Sequence, residues 1–172
     1  DYALYGLDPA GYRATDLVLH ALVATLVALL VRDTLLLPYF AGAWTGVAAP
    51  LAIAVALVWL VHPLVSETVV YVTQRTELLA ALFYVLTLWA AVRHWTARPS
   101  SQSVPAPAPA AAARWAGVAM LSSVAAMASK EVAASLPIVV WLYERTFLVD
   151  SWRATARSRR LYAGLAASWL VL

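Results

Sequence analysis

The 172-residue sequence contains no cysteine and few charged residues. Without cysteine, the chain can form neither a disulfide framework nor a cysteine metal site. Asp, Glu, Lys and Arg make up 12% of the chain, compared with about 25% in ordinary globular proteins, whereas hydrophobic residues make up 63%. Because so little hydrophilic sequence cannot cover a soluble domain of this length, the composition predicts a protein buried in a lipid bilayer.

The chain also lacks recognisable metal-binding and nucleic-acid-binding patterns. It has no HExxH sequence and no acidic metal-binding run, so we predict neither a metal site nor another cofactor, and any dependence on a divalent metal stays open. The net charge of +3 does not indicate nucleic acid. The positive-inside rule and contact with anionic lipid already explain the basic residues, which lie at the ends of predicted helices.

The charged residues fall into six clusters that alternate in sign and are separated by apolar stretches. The first, third and fifth clusters combine three basic residues with a surplus of acid, namely Arg13, Arg75 and Lys130 with Asp1, Asp8, Asp16, Glu67, Glu77 and Glu131. The second, fourth and sixth hold the other nine basic residues, namely Arg32, Arg93, Arg98, Arg114, Arg145, Arg153, Arg157, Arg159 and Arg160. The positive-inside rule assigns the nine-residue side to the cytoplasm and the acid-rich side to the outer face.

The apolar stretches between these clusters predict an all-α, polytopic transmembrane bundle of about six helices. We expect the helices at about 15–31, 46–61, 77–92, 115–128 and 130–143, with a sixth beginning at Leu161. Some charge-free runs are shorter than the roughly 20 residues that span hydrocarbon, but arginines at helix ends can extend their side chains to the interface. The segment at about 96–113, rich in Pro, Ala and Ser, is predicted to be a disordered cytoplasmic loop.

The acid-rich side contains a candidate anion site. Two predicted helices begin there, beside Arg75 and Lys130, so that positive helix ends and two cations would suit a phosphate group. An alternative is purely structural. In it, Glu77 and Glu131 stabilise the helix N-termini and pair with the cations, while Thr76 and Ser129 act as N-caps.

His20 and His62 each have a structural interpretation as well as a functional one. His20 follows Asp16 by four residues, so the two side chains share a helix face and could form a hydrogen bond or bind a metal. We favour the hydrogen-bonded pair. His62 precedes Pro63 and is predicted to end the second helix, because a residue before proline avoids helical angles.

Three segments resemble a known family: YGLDPAGYRATDLVLHAL at 5–22, HPLVSETVVYVTQRTELLAALFYVLTL at 62–88 and MASKEVAASLPIVVWLYERTFL at 127–148. They are similar to bacterial membrane proteins that join a glycosyltransferase module of the C superfold to tetratricopeptide repeats. Those proteins are related to eukaryotic transmembrane O-mannosyltransferases with such repeats, and more distantly to protein O-mannosyltransferases and aminoarabinose transferases. The resemblance covers nearly the whole chain except the Pro/Ala loop.

The resemblance implies a role for each candidate residue. Arg75, Lys130 and Arg13 would bind the phosphate of a donor lipid, and the supporting residues would be Glu77, Glu131, His62, Glu67, Asp16 and His20. Arg13 and Asp16 stand where the family would have His and Asn. Because of this departure, the resemblance supports the roles of these two residues less than those of the others. The acidic catalytic base, the first helix and the repeats would precede Asp1 or follow Leu172. We therefore expect the 172 residues to be an inactive part of one larger domain.

The implied activity is sugar transfer, with mannose a candidate, from a polyprenyl phosphate to a hydroxyl acceptor on a protein or glycan. The expected location is a bacterial inner membrane with the reaction on its outer face. Two other classes stay open. One is a non-enzymatic anchor for a repeat domain that binds proteins, and the other is a transporter of lipid-linked sugars.

Overall fold

The computed structural model describes residues 6, 8–65, 74–98, 109–148 and 158–171. All regular secondary structure within these ranges is helical. The α-helices are α1 (Pro9–Leu35), α2 (Ala48–Val61), α3 (Arg75–Thr96), α4 (Pro109–Ser129), α5 (Leu136–Phe147) and α6 (Arg159–Ala167). Short 3-10 helices occupy Pro38–Phe40, Glu131–Ser135 and Ser168–Val171.

Three of these helices are long and apolar enough to cross a membrane: α1, α3 and the segment Ala110–Ser129 of α4. Helix α2 is apolar but has 14 residues, while α5 has 12 and α6 has nine. Roughly 20 residues are needed to span the hydrocarbon core. The described residues confirm a helical fold with three candidate membrane-spanning helices, and the bundle of about six spans is not confirmed.

The surface of α2 supports burial in lipid. Val58 and Val61 are 65% and 72% exposed, and Ile53 and Leu57 are each 55% exposed. Soluble monomers rarely expose a continuous apolar surface of this kind, whereas a bilayer covers it.

Helix α1 begins six residues earlier than predicted. Asp8 is the N-cap, and its side-chain oxygen accepts a hydrogen bond of 3.0 Å from the backbone N–H of Ala10. Pro9 follows at the first helical position, where its missing N–H costs nothing. The Asp-Pro pair therefore marks the true start of the helix.

The predicted bounds of the disordered loop at 96–113 are wrong, because both ends of this segment are helical. Helix α3 continues to Thr96, and α4 begins at Pro109. Alanines at 110–113 are the strongest helix formers, and proline is compatible with a first helical turn, so these residues extend α4. The central part, 99–108, lies outside the described residues.

The helix predicted at 130–143 is divided in two. A 3-10 helix covers Glu131–Ser135, and α5 begins only at Leu136. Pro137 explains the break, because inside a continuous helix its ring would clash with the carbonyl four residues before it, whereas in the first turn of α5 it is tolerated. The second helix does end at Val61, as predicted, with His62 in an extended conformation.

The helices pack through small and polar side chains. The most extensive contact joins α3 to α4, and α1 packs against both α2 and α3. Buried alanines at 90, 91, 119 and 126 allow close approach. The Thr87 and Ser122 hydroxyls meet at 2.8 Å between α3 and α4.

The alternating charge clusters sort into two ends of the described structure. At the acid-rich end, Asp16 pairs with Arg75 and Glu77 with Lys130, which joins the first, third and fifth clusters. At the basic end, Asp33 lies 3.5 Å from Arg93, and Arg98 donates a hydrogen bond of 3.0 Å to Ser158. The second cluster thereby meets the fourth, and the fourth meets the start of α6. The membrane side that each end faces stays a prediction.

A buried carboxylate organises the basic end. Glu144 is 2% exposed and accepts hydrogen bonds from the Ser158 hydroxyl at 2.6 Å and from the Tyr162 hydroxyl at 2.7 Å. The Ser158 oxygen also accepts from the indole N–H of Trp95 at 3.2 Å and from Arg98. This network connects α3, α5 and the start of α6.

We expect Glu144→Leu to lower the free energy of unfolding by about 2 kcal/mol, because it leaves the buried Ser158 hydroxyl and the partly buried Tyr162 hydroxyl without their acceptor. Glu131→Leu is the matched control, since Glu131 is an exposed carboxylate and its loss should change stability by under about 0.5 kcal/mol. Denaturant unfolding in detergent micelles measures both. Equal effects would contradict the role assigned to Glu144.

Candidate functional site

The first element of the site is a buried ion pair between α1 and α3. The Nε of Arg75 lies 2.7 Å from Oδ1 of Asp16, which is fully buried. The Nη2 of Arg75 donates a hydrogen bond of 3.0 Å to the carbonyl of Tyr12, and the guanidinium lies over the Tyr12 ring at 5.6 Å. Since three contacts fix its plane, Arg75 is a preorganised cation at the first position of α3.

The second element is the ion pair between Lys130 and Glu77, in which the ammonium contacts Oε1. Lys130 lies between the end of α4 and the following 3-10 helix, and Glu77 lies in the first turn of α3. Their side chains are 30% and 40% exposed, so both are accessible to a ligand. Each cation therefore pairs with a carboxylate from another segment, and Lys130 contacts Glu77 rather than its chain neighbour Glu131.

The predicted capping roles are wrong. Gln74 is the N-cap of α3 and makes no side-chain capping bond, while Thr76 lies inside the helix. Ser129 is the last residue of α4, and its hydroxyl donates to the carbonyl of Ala125 at 2.8 Å. Because α5 begins at Leu136, one α-helical N-terminus rather than two faces this site in the described structure.

His20 is bound on one edge only. Its Nε2 lies 2.9 Å from the carbonyl oxygen of Leu60, and its ring stacks on Trp59 at 4.9 Å. A carbonyl can only accept, so Nε2 carries the hydrogen and Nδ1 of the neutral ring is an acceptor. Nδ1 has no hydrogen-bond partner in the described structure, and neither has Oδ2 of Asp16. The predicted hydrogen bond between Asp16 and His20 is therefore absent, and two buried acceptors lie one helical turn apart.

Asp16 and His20 alone are too few ligands for a zinc site at this position. Structural and catalytic zinc sites use at least three protein ligands. No group of three or more His, Cys, Asp or Glu side chains suited to a metal occurs among the described residues.

The other predicted site residues form neither of these ion pairs in the described structure. Arg13 is exposed on α1, and Glu131 is exposed on its 3-10 helix. His62 accepts a hydrogen bond of 3.3 Å at Nδ1 from the backbone N–H of Leu64, a local turn contact after α2. Glu67 lies outside the described residues.

An apolar cavity of about 290 Å³ adjoins the Lys130–Glu77 pair through Glu77. Its walls come from α1, α2, α3 and the 3-10 helix, namely Val23, Val27, Trp59, Glu77, Ala80, Ala81, Tyr84, Val85 and Val132. Glu77 is the one charged residue among these described lining residues, and Trp59 also contacts His20. Charged groups and an apolar cavity thus meet at Glu77.

The spacing of apolar residues along α1 and α3 is a sequence signal for this cavity, whereas the charge pattern is not. Val23 and Val27 follow His20 on the same helix face at three and seven residues, and Ala80, Ala81 and Tyr84 follow Glu77 at three, four and seven residues. Since these residues resemble ordinary core positions, only their assembly in three dimensions shows the cavity.

Comparisons of the chain with protein-family models, curated proteins and solved structures find no match. The resemblance described above therefore rests on its motifs alone.

We expect Arg75→Ala to lower the free energy of unfolding by about 3–5 kcal/mol, because it leaves the buried Asp16 carboxylate without its cation. The double variant Asp16→Leu/Arg75→Leu should recover most of that loss, since it removes both charges. Lys130→Ala breaks an accessible pair and should cost under about 1 kcal/mol. Equal losses for Arg75→Ala and Lys130→Ala in denaturant unfolding would contradict this ranking.

Proposed function

We propose that the protein is a membrane glycosyltransferase that uses a polyprenyl phosphate sugar at its acid-rich end. The acceptor is a hydroxyl on a protein or glycan, and the location is the outer face of a bacterial inner membrane, in a bundle with more spans than the three candidate helices. The observation that carries the proposal is the position of the Lys130–Glu77 pair at the edge of an apolar cavity beside Arg75. This arrangement suits a ligand with an anionic head and an apolar chain.

Lys130 is the group best placed to bind the donor phosphate. Its ammonium has three N–H donors and is 30% exposed, so it can bind a phosphate oxygen while Glu77 keeps one hydrogen bond. In sugar transfer the phosphate gains negative charge as it leaves, and a cation held in position stabilises that charge. Glu77 orients Lys130, and Asp16 orients Arg75.

The two buried acceptors are not assigned to the sugar. Oδ2 of Asp16 and Nδ1 of His20 are enclosed by protein, and neither residue lines the apolar cavity. Of the two ion pairs, the accessible Lys130–Glu77 pair is therefore the one that can contact a donor.

We expect Lys130→Gln to weaken the binding of polyprenyl phosphate by at least about tenfold, because a hydrogen bond to a charged group contributes about 1.5–3 kcal/mol. Native mass spectrometry of the micelle-bound protein measures that affinity.

Arg114→Gln is the control for Lys130→Gln, since it removes an exposed positive charge elsewhere on the described surface. The melting temperatures of both variants should match the parent. Lys130→Gln is a cleaner test than Arg75→Ala, because Arg75 also holds a buried carboxylate. Unchanged donor binding in Lys130→Gln would contradict the proposal and favour an anchor without enzymatic activity.

We expect Ala81→Trp to reduce the affinity for long-chain polyprenyl phosphate, because the indole would fill much of the apolar cavity. Binding of inorganic phosphate, which needs no apolar cavity, should stay unchanged. Ala128→Trp is the control, since Ala128 is exposed on α4 and does not line the cavity. An equal loss for the two tryptophan variants would show that the cavity does not hold the lipid chain.

A further inference from the structure

A second and larger cavity lies at the basic end. It has a volume of about 740 Å³ and is bounded by the end of α3, the first half of α4 and the start of α6. Its polar lining residues are His94, Arg98, Ser158, Arg159 and Arg160. None of the lining residues that the structure describes is acidic.

Hydrogen bonds to neighbouring groups hold two of the polar lining residues in place. Arg98 donates a hydrogen bond of 3.0 Å to the Ser158 hydroxyl, which is itself held by the buried Glu144 carboxylate. His94 is held through a 2.7 Å hydrogen bond between its Nδ1 and the Ala112 carbonyl. Since that carbonyl can only accept, Nδ1 is the donor. Both side chains are thus fixed at the cavity wall before any ligand arrives.

Arg159 and Arg160 add two exposed cations at the first turn of α6. The first backbone N–H groups of a helix favour anions as well, and here they coincide with three guanidinium groups. Arginine offers planar paired donors that match phosphate oxygens.

The other lining residues are uncharged and include Ala112, Ala116, Met120 and Leu161. Gly164 lets α6 approach α4, since a Cβ there would lie 2.5 Å from the sulfur of Met120. The cavity therefore combines a cationic rim with a hydrocarbon wall. A ligand that uses both has a phosphate and an apolar chain.

We propose that this basic-end cavity binds a phosphate group, and that the phosphate is the headgroup of an anionic phospholipid. The site is separate from the acid-rich end and does not depend on the glycosyltransferase proposal. Free phosphorylated compounds share the headgroup chemistry but not the apolar chain, so a direct comparison distinguishes the two sources.

The test measures lipid binding to the micelle-bound protein by native mass spectrometry, with phosphatidylglycerol and phosphatidylcholine of identical acyl chains. We expect phosphatidylglycerol to bind at least about tenfold more tightly, and Arg159→Gln/Arg160→Gln to remove that preference. The matched control is Arg32→Gln/Arg114→Gln, which also removes two positive charges but lies outside the lining. It should keep the preference.

A second variant keeps the test decisive if the arginine double variant fails to fold. Ala116→Trp fills the cavity without changing its charge and should also weaken phosphatidylglycerol binding. Displacement of the lipid by millimolar inorganic phosphate would support the phosphate site and identify a soluble ligand as its source, whereas no displacement would support the lipid. Equal binding of the two lipids by the parent protein, or equal losses in the arginine variant and its control, would overturn the proposal.

Discussion

The ion pair between Asp16 and Arg75 is the interaction on which the rest of the acid-rich end depends. A fully buried carboxylate is costly without a cation, and Arg75 supplies that cation while also bonding the backbone of α1 through Tyr12. The pair fixes the start of α3 against α1. Glu77, two residues along α3, then lies where Lys130 reaches it, and the apolar cavity opens beside it.

Both ends of the described structure contain ion pairs. At the acid-rich end, Arg75 and Lys130 each contact a carboxylate from another segment. At the basic end, Arg32 and Arg93 pair with Asp33, whereas Arg98 donates a hydrogen bond to the neutral Ser158 hydroxyl. The Ser158 hydroxyl in turn donates to the buried Glu144 carboxylate.

The sorting of the charges into two ends was predictable, because a charge in an apolar interior is costly unless it is paired or hydrogen-bonded. The alternating clusters predicted which segments meet, and the contacts of Asp16 with Arg75 and of Glu77 with Lys130 agree with it. The end of α2 before Pro63 was equally predictable. Local signals that were overlooked account for two errors, since Asp8-Pro9 begins α1 and Pro137 delays α5.

Other features could not be predicted from one sequence. Thr76 and Ser129 looked like caps, but a capping role depends on where the neighbouring turn begins in space. The pairing partners of the two cations come from other helices, so sequence proximity suggested the wrong carboxylates. The unpartnered Nδ1 of His20 depends on the position of the Leu60 carbonyl, which contacts the other ring nitrogen from 40 residues away in the chain. Both cavities likewise arise only when several helices pack.

Lys130 is the only lysine among these 172 residues, so lysine labelled with ¹⁵N gives a single side-chain signal from them. The most direct test is solid-state NMR of the bilayer-bound protein with a polyprenyl phosphate, measuring dipolar coupling between the Lys130 Nζ and the lipid ³¹P. The account predicts a separation of about 4 Å, since an ammonium lies about 2.8 Å from a phosphate oxygen that it contacts. A saturated sample with no coupling between the two nuclei would contradict the claim that Lys130 binds the donor phosphate.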